Sequence, residues 1–253
     1  MLYAAKSHIG LVRQMNQDSF AVHSEFRPLH FVVVADGMGG ASAGEVASKL
    51  AIDVVSRFVE QALQTHQADE EEVLREAVYV ANRKIWETAK GTEDYAGMGT
   101  TVVAALFDSS KVTFAHVGDS RGYLYSFNEI QQVTRDHSLV AELVRRGQLT
   151  EEEALHHPQR NIVTRSLGTS ELNHPDVAHV NWQDGDVLLL CTDGLTNLVA
   201  AVELREHAAK LSPASTNAEL ESVADDLIQL ALERGGSDNI TVILVLHREE
   251  ERV

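Results

Sequence analysis

The sequence predicts an α+β fold, a core of antiparallel β-structure layered with helices, and three observations carry the prediction. Short β-rich runs crowd the middle of the chain, separated by links too short for parallel crossovers. Amphipathic helical stretches come as a pair ahead of those runs and once more behind them. With 253 residues and no internal repeat, low-complexity tract or linker-like stretch, the chain reads as a single domain spanning 1–253.

The first third supplies strands and then helices. DSFAVHS and HFVVVAD read as strands. A helix follows over 42–64, opened by Ser42 and Glu45 at capping-box spacing and carrying Val46, Leu50, Val54, Phe58 and Ala62 four apart. A second helix, about 69–90, places Val73, Ala77, Val80, Ala81, Ile85 and Ala89 on its apolar side. The runs GTTVVAALF, VTFAHVG, RGYLYS and EIQQVT then read as an antiparallel meander, linked by Asp108-Ser109-Ser110, Gly118-Asp119-Ser120 and Phe127-Asn128. Residues 138–170 turn polar and helical. DVAHVNW and DVLLLCT read as a hairpin across Gln183 to Asp186, and a helix over 216–234 stops at Gly235-Gly236. NITVILVLH is the last strand, and the charged end HREEERV is expected to fray.

Composition narrows the partners. The net charge is −17 and no Lys/Arg cluster stands out, so the footprint that selects for phosphate backbones is missing and nucleic acid is excluded. The lone cysteine, Cys191, allows no internal disulfide and sits in an apolar run, where it reads as a small buried hydrophobe. The start MLYAAKSHIG lacks the layout of a signal peptide. No apolar run approaches the roughly 20 residues that span a bilayer. These features predict a cytoplasmic protein with no membrane partner.

The strand ends carry the chemistry. VVVADG, FAHVGDS and LLLCTDG each bring an apolar run into an aspartate beside a glycine, and Asp238 stands just before the last apolar strand. Turn chemistry accounts for Asp184-Gly185, in a polar link, but Asp36, Asp119, Asp193 and Asp238 share one pattern. Carboxylates gathered from one core would repel each other and be forced to protonate unless cations compensate. An all-oxygen donor set favours Mg²⁺ or Mn²⁺ over zinc. A glycine beside each acid lets backbone approach, so that the Gly37 carbonyl can serve as a ligand. Pairs of such ions roughly 3.5–4 Å apart recur where phosphoryl groups move, through a shared, deprotonated water. Arg13, five residues before a further acid, Asp18, offers a planar fork for the phosphate.

Arg13 with Asn16-Gln17-Asp18, Asp36-Gly37-Met38-Gly39-Gly40, Met98-Gly99-Thr100-Thr101, His116 to Arg121, Asp136-His137, Thr192-Asp193-Gly194 and Gly236 to Asn239 stand in one order along residues 13–239. This ordered set resembles the metal-dependent type 2C serine/threonine protein phosphatases, most of all their compact bacterial members. The resemblance implies two antiparallel sheets packed as a sandwich with helices on both outer faces. It implies that Asp36 bridges two ions, that Asp193 and Asp238 hold the first, and that the Gly37 carbonyl helps hold the second. Asp119 matches an acid that recruits a third ion together with Asp193. Arg13 matches the phosphate clamp, and Asn239 is expected to orient the last metal acid. A flap-like segment, about 143–170, falls beside the site. The implied activity is hydrolysis of phosphoserine and phosphothreonine in proteins, by a monomer acting on the targets of a serine/threonine kinase.

Two departures stand out. Gln17 replaces a glutamate common in relatives, which leaves the second ion to Asp18. Met38 stands where animal members have a proposed general acid, so the proton donor is open between water and His137, a residue type that is commonly structural at such a junction. Two other functions compete. Gly37-x-Gly39 resembles the start of a dinucleotide loop, but the third glycine falls on Ser42, an acid precedes the loop and the later strands are hairpins. A phosphatase-like binding module without turnover would be expected to have lost metal acids, and all four are present.

Overall fold

A computed structural model describes residues 1–26, 28–40, 42–64, 69–91 and 93–249. In chain order its strands are β1 (Leu2–His8), β2 (Asp18–His23), β3 (His30–Met38), β4 (Gly99–Thr100), β5 (Val102–Phe107), β6 (Lys111–Val117), β7 (Arg121–Ser126), β8 (Glu129–Gln132), β9 (Asp176–Asn181), β10 (Val187–Cys191) and β11 (Ile240–Leu246). The helices are α1 (Ala43–Gln64), α2 (Glu70–Gly91), α3 (Leu139–Arg145), α4 (Glu151–Leu155), α5 (Asp193–Thr196), α6 (Ala201–Ala208) and α7 (Asn217–Glu233). One sheet runs β1-β11-β10-β7-β8, the other β2-β3-β5-β6-β9, with β4 pairing the end of β3. All these pairings are antiparallel.

Each sheet is covered twice, and the side-chain alternation shows it. Along β3, Phe31, Val33 and Ala35 face the core shared with α1 and α2, while Val32 and Val34 face the core between the sheets. Along β11, Val242, Leu244 and Leu246 pack with α7, while Ile243 and Val245 point to the inter-sheet core. That is why these strands are continuous apolar runs instead of alternating ones. Cys191 lies on the α7 side of β10, fully buried, and burial pushes its thiol up to about 12. The reading of Cys191 as packing therefore stands.

Sequence and structure differ at several places. Residues 99–134 do not form one meander, because β6 pairs with β5 and β9 while β7 pairs with β10 and β8. The chain changes sheets at Gly118, whose φ of +110° and contact with Thr101 leave no room for a Cβ. Residues 176–192 are likewise no hairpin: β9 joins β6 and β10 joins β11. Trp182 in the link is drawn into the inter-sheet core, 5% exposed, with its Nε1 donating to Asp108 O at 2.8 Å. By contrast the Phe127-Asn128 link is a two-residue hairpin with both φ positive, as that turn type demands.

The fully buried face of α1 is Ala43, Ala47, Ala51, Val55 and Val59. The expected stripe from Val46 to Ala62 only flanks it, partly buried, because each of its members lies three residues along from the buried row, about 60° round the helix. On α2, Leu74 and Val78 are buried, and Val80, about 200° round from Val78, is exposed. Edge strand β1 and helices α5 and α6 have no counterpart in the sequence reading. His247 is not frayed: it is 1% exposed, donates its amide to Asp186 O at 2.8 Å and edges against Trp182. Residues 250–253 of that end lie outside the described residues.

One buried polar side chain fastens α2 to the segment beyond α4. Asn82 is fully buried, its Nδ2 donating to Ser170 O at 3.1 Å and Glu171 O at 3.0 Å, its Oδ1 accepting from Gly168 N at 2.9 Å. Asn82→Ala is expected to strand all three partners and lower stability by about 2–4 kcal/mol in urea titration. A change within 0.5 kcal/mol, roughly the noise of surface substitutions, would show the fastening to be incidental.

Candidate metal centre

Strand pairing itself builds the first half of the site. Asp18 opens β2 and stands directly opposite Asp36 near the end of β3, so both carboxylates leave the same face of the sheet. Asp119 lies in the crossing between β6 and β7, Asp193 begins α5 just past β10, and Asp238 stands just before β11. β10 and β11 are antiparallel neighbours, which brings Asp193 and Asp238 to one end of their sheet. Across the sandwich the acids meet. Asp36 feels the charges of Asp18, Asp193, Asp119 and Asp238, and is within hydrogen-bonding reach of Asp193.

The electrostatics follow from that crowding. Burial, then repulsion from the four neighbours, holds Asp36 well above the usual carboxylate range. Burial, opposed by the Thr241 and Thr192 hydroxyls, pushes Asp18 up to about 7. Burial, then Asp193 and Asp136, does the same for Asp119. Asp193 is raised by burial and then by Asp238.

Polar groups nearby align the acids. Asp18 Oδ2 accepts from Thr241 Oγ1 at 2.6 Å and Thr192 Oγ1 at 2.9 Å. The Asp36 amide donates to Thr101 Oγ1 at 3.0 Å, and that hydroxyl meets Ser120 Oγ at 2.7 Å. Sequence reasoning missed these hydroxyls, although Thr192, Thr101 and Ser120 sit inside its own motifs and were visible there. Asp193 Oδ2 accepts from Asn197 Nδ2 at 3.0 Å, one turn along. Gly37 donates its amide to Gln17 O at 3.1 Å, and a Cβ on it would lie 2.0 Å from Gly44 O, so β3 and α1 touch through bare backbone.

Arg13 reaches the cluster from the 9–17 loop. Its Nη2 donates to Asp238 Oδ2 at 2.7 Å while the side chain stays half-exposed. Asn239 differs from expectation. Its backbone amide, not its side chain, meets Asp238 Oδ1 at 2.9 Å. The side chain instead accepts from Gln17 N at 2.8 Å and donates to Ile9 O at 2.8 Å and Met15 O at 2.9 Å, which staples the loop that carries Arg13. Gln17 lies against Gly44. His137 is 4% exposed, and burial pushes it down to about 4, so it is neutral near pH 7.

Two carboxylate oxygens decide what the cluster can hold. Asp18 Oδ1 and Asp193 Oδ1 are buried and have no hydrogen-bond partner among the described residues. A buried anionic oxygen without a partner costs several kcal/mol, and an oxygen-liganded dication is the group that satisfies it. The residues present fit such ions.

Known proteins resemble this chain over most of its length. The protein phosphatase 2C family matches residues 6–231. The serine/threonine phosphatase stp of Listeria welshimeri is 41% identical over 237 residues, 93% of this chain and 92% of its own. Protein phosphatase PhpP of Streptococcus pneumoniae is 39% identical over 245 residues, 96% of each chain. Among solved structures, the Mycobacterium tuberculosis serine/threonine phosphatase PstP/Ppp superposes with a TM-score of 0.85 at 37% identity, over 98% of each chain. The catalytic domain of PstP in complex with two manganese ions superposes at 0.79 with 36% identity, over 96% of each. With the family matched over most of its length and relatives near 40% identity covering it almost end to end, this chain belongs to the protein phosphatase 2C family of enzymes.

Proposed function

We propose that the chain is a metal-dependent phosphatase that hydrolyses phosphoserine and phosphothreonine in proteins, the targets of a partner serine/threonine kinase. The observation that carries the reading is the pair of partnerless buried oxygens on Asp18 and Asp193 within a cluster of five acids. Asp36, Asp193 and Asp238 would hold one ion, Asp36 with Asp18 and the Gly37 carbonyl a second, and Asp119 with Asp193 a third. Mg²⁺ and Mn²⁺ both suit the all-oxygen donor set. When bound, such ions acidify a water for attack on phosphorus and offset the charge of the phosphoryl oxygens.

The chain's own groups do the rest. Arg13 binds the phosphate: only its Nη2 has a side-chain partner among the described residues, and the half-exposed fork has donors left for two phosphate oxygens. Asn239 keeps the Arg13 loop against Asp238. Thr241 and Thr192 hold Asp18 Oδ2, which leaves Oδ1 for the ion. Neither Met38 nor His137 supplies the leaving-group proton, since Met38 has none to give and His137 is buried and neutral.

The central test is phosphate release from a phosphothreonine peptide during Mn²⁺ titration; no metal-dependent release at any concentration ends the proposal. Asp193→Asn is expected to cut turnover by at least about 100-fold, as losing a metal ligand does. It should also raise the Tm of the metal-free protein near pH 7, because one of several mutually repelling charges is gone. Arg13→Ala should raise KM by roughly 10- to 100-fold, the worth of a charge-assisted bond, with a smaller effect on kcat.

The acids also dictate the response to pH. Asp18 and Asp119 have an ordinary value of 3.8 and stand at about 7 when folded. The folded chain therefore holds more protons than the unfolded one, and these groups lower stability as pH rises from about 4 to about 7. Bound dications compete with the same protons. Saturating Mn²⁺ should raise the Tm more at about pH 7.5 than at about pH 5 in differential scanning calorimetry. Equal shifts at both values would mean that the ion binds elsewhere.

A further inference from the structure

Asp136-His137 and the end of the polar segment near Arg165 have no part in the chemistry above, yet they surround the turn that carries Asp119. Gly118, just before Asp119, donates its amide to His137 Nδ1 at 3.1 Å and accepts from His137 N at 2.9 Å. Arg121, two residues after Asp119, forks onto Asp136, with Nη2 to Oδ2 at 2.7 Å. The Asp119 turn is thus bracketed on both sides by two consecutive residues.

Those two residues are also the root of an excursion. Leu139 N donates to Ile162 O at 2.9 Å and Thr164 N to His137 O at 2.7 Å, closing the base of the segment that holds α3 and α4. Arg145 of α3 returns to Asp136 O at 3.2 Å. Just past the base, Leu167 and Thr100 exchange backbone bonds of 2.8 and 3.1 Å, and Thr100 Oγ1 donates to Asp36 O at 2.8 Å. The base is therefore stitched to the backbone of both Asp36 and the Asp119 turn.

Arg165 sits at the junction. Its Nη1 donates to Asp176 Oδ1 at 2.7 Å and lies 2.9 Å from His137 Nε2, and its Nη2 donates to His174 O. The neutral His137 ring can accept from only one of two obligate donors, the Gly118 amide at Nδ1 or the Arg165 guanidinium at Nε2, and Asp176 Oδ2 lies 3.4 Å from that Nε2. Asp176 thus holds Arg165 and His137 together, and His116 stacks on His137 with ring centres 5.0 Å apart. His116, His137 and Asp176 could by themselves ligate a cation, their donor atoms lying within 4.8 Å of one another. The Arg165 guanidinium already lies against two of the three, His137 and Asp176.

We propose that Arg165 is a positioning residue: through Asp176 and His137 it locks the base of the 138–166 segment to the Asp119 turn, so that displacement of this segment, as by a docking phosphoprotein, alters the site at Asp119. The proposal rests on the functional reading above, since it gives Asp119 a place in the site.

Amide hydrogen exchange on the metal-free chain tests the coupling independently of turnover. In Arg165→Ala, exchange at Gly118 should speed up about tenfold together with Leu139 and Thr164, while Val33 in β3 stays unchanged. Arg165→Lys, which keeps the charge on Asp176 but not the fork, should fall between parent and alanine variant. The Mn²⁺ concentration for half-maximal p-nitrophenyl phosphate hydrolysis should rise about tenfold in Arg165→Ala, the size typical of losing support behind a ligand. Faster exchange at Leu139 and Thr164 with Gly118 unmoved overturns the coupling, as does unchanged exchange at all three. A parent without Mn²⁺-dependent turnover would sink the functional reading while the exchange result still decides the linkage.

Discussion

Repulsion among Asp18, Asp36, Asp119, Asp193 and Asp238 is the constraint around which the molecule is arranged. A sandwich of two sheets can bring strand ends together at one edge, and here those ends are acidic. Without compensation Asp18, Asp36, Asp119 and Asp193 are driven toward their protonated forms by burial and by their neighbours. Hydroxyl groups from Thr192 and Thr241, the Arg13 guanidinium and the Asn197 amide take up some of that charge, and Asp18 Oδ1 and Asp193 Oδ1 are left without a partner among the described residues. The core supplies the force that opposes the repulsion. Strands with both faces buried cannot splay to relieve it without exposing Val32, Val34, Ile243 and Val245 to water.

Much of the site was legible because aspartate at the end of an apolar run conflicts with its surroundings, and local conflict of this kind concentrates at functional positions. Asp36, Asp119, Asp193 and Asp238 could be read that way, and the structure does gather them. The supporting groups could not. Thr241 is an ordinary strand residue in sequence, and nothing in NITVILV says that its hydroxyl points at Asp18 across 223 residues. In sequence the Asn239 side chain reads as serving its neighbour, whereas it serves a loop 224 to 230 residues away. Long-range hydrogen bonds leave no periodic signal.

The layers were legible for a related reason: helices and apolar strands each carry their own period. Which strand joins which sheet was not. A short link looks the same whether the chain folds back beside itself or steps to the opposite sheet, so Gly118-Asp119-Ser120 and Gln183 to Asp186 both read as hairpin turns. What separates the two cases is tertiary, the contact of Gly118 with Thr101 in one and the burial of Trp182 in the other. Strand β1 escaped because its residues are mostly half-buried, with Ala4 alone inside, and an edge strand of that kind has no strong alternation to read.

The pairing of Leu2 with Leu246 has a bearing on how the protein is made. Strand β1 finds its neighbour only when β11 has emerged, a wait of roughly 10–50 s at ordinary elongation speeds. Asn239, whose side chain ties down the Arg13 loop, emerges just ahead of β11. A nascent chain can thus assemble the α1–α2 layer early, but the loop that carries Arg13 is tied down only once Asn239 has emerged.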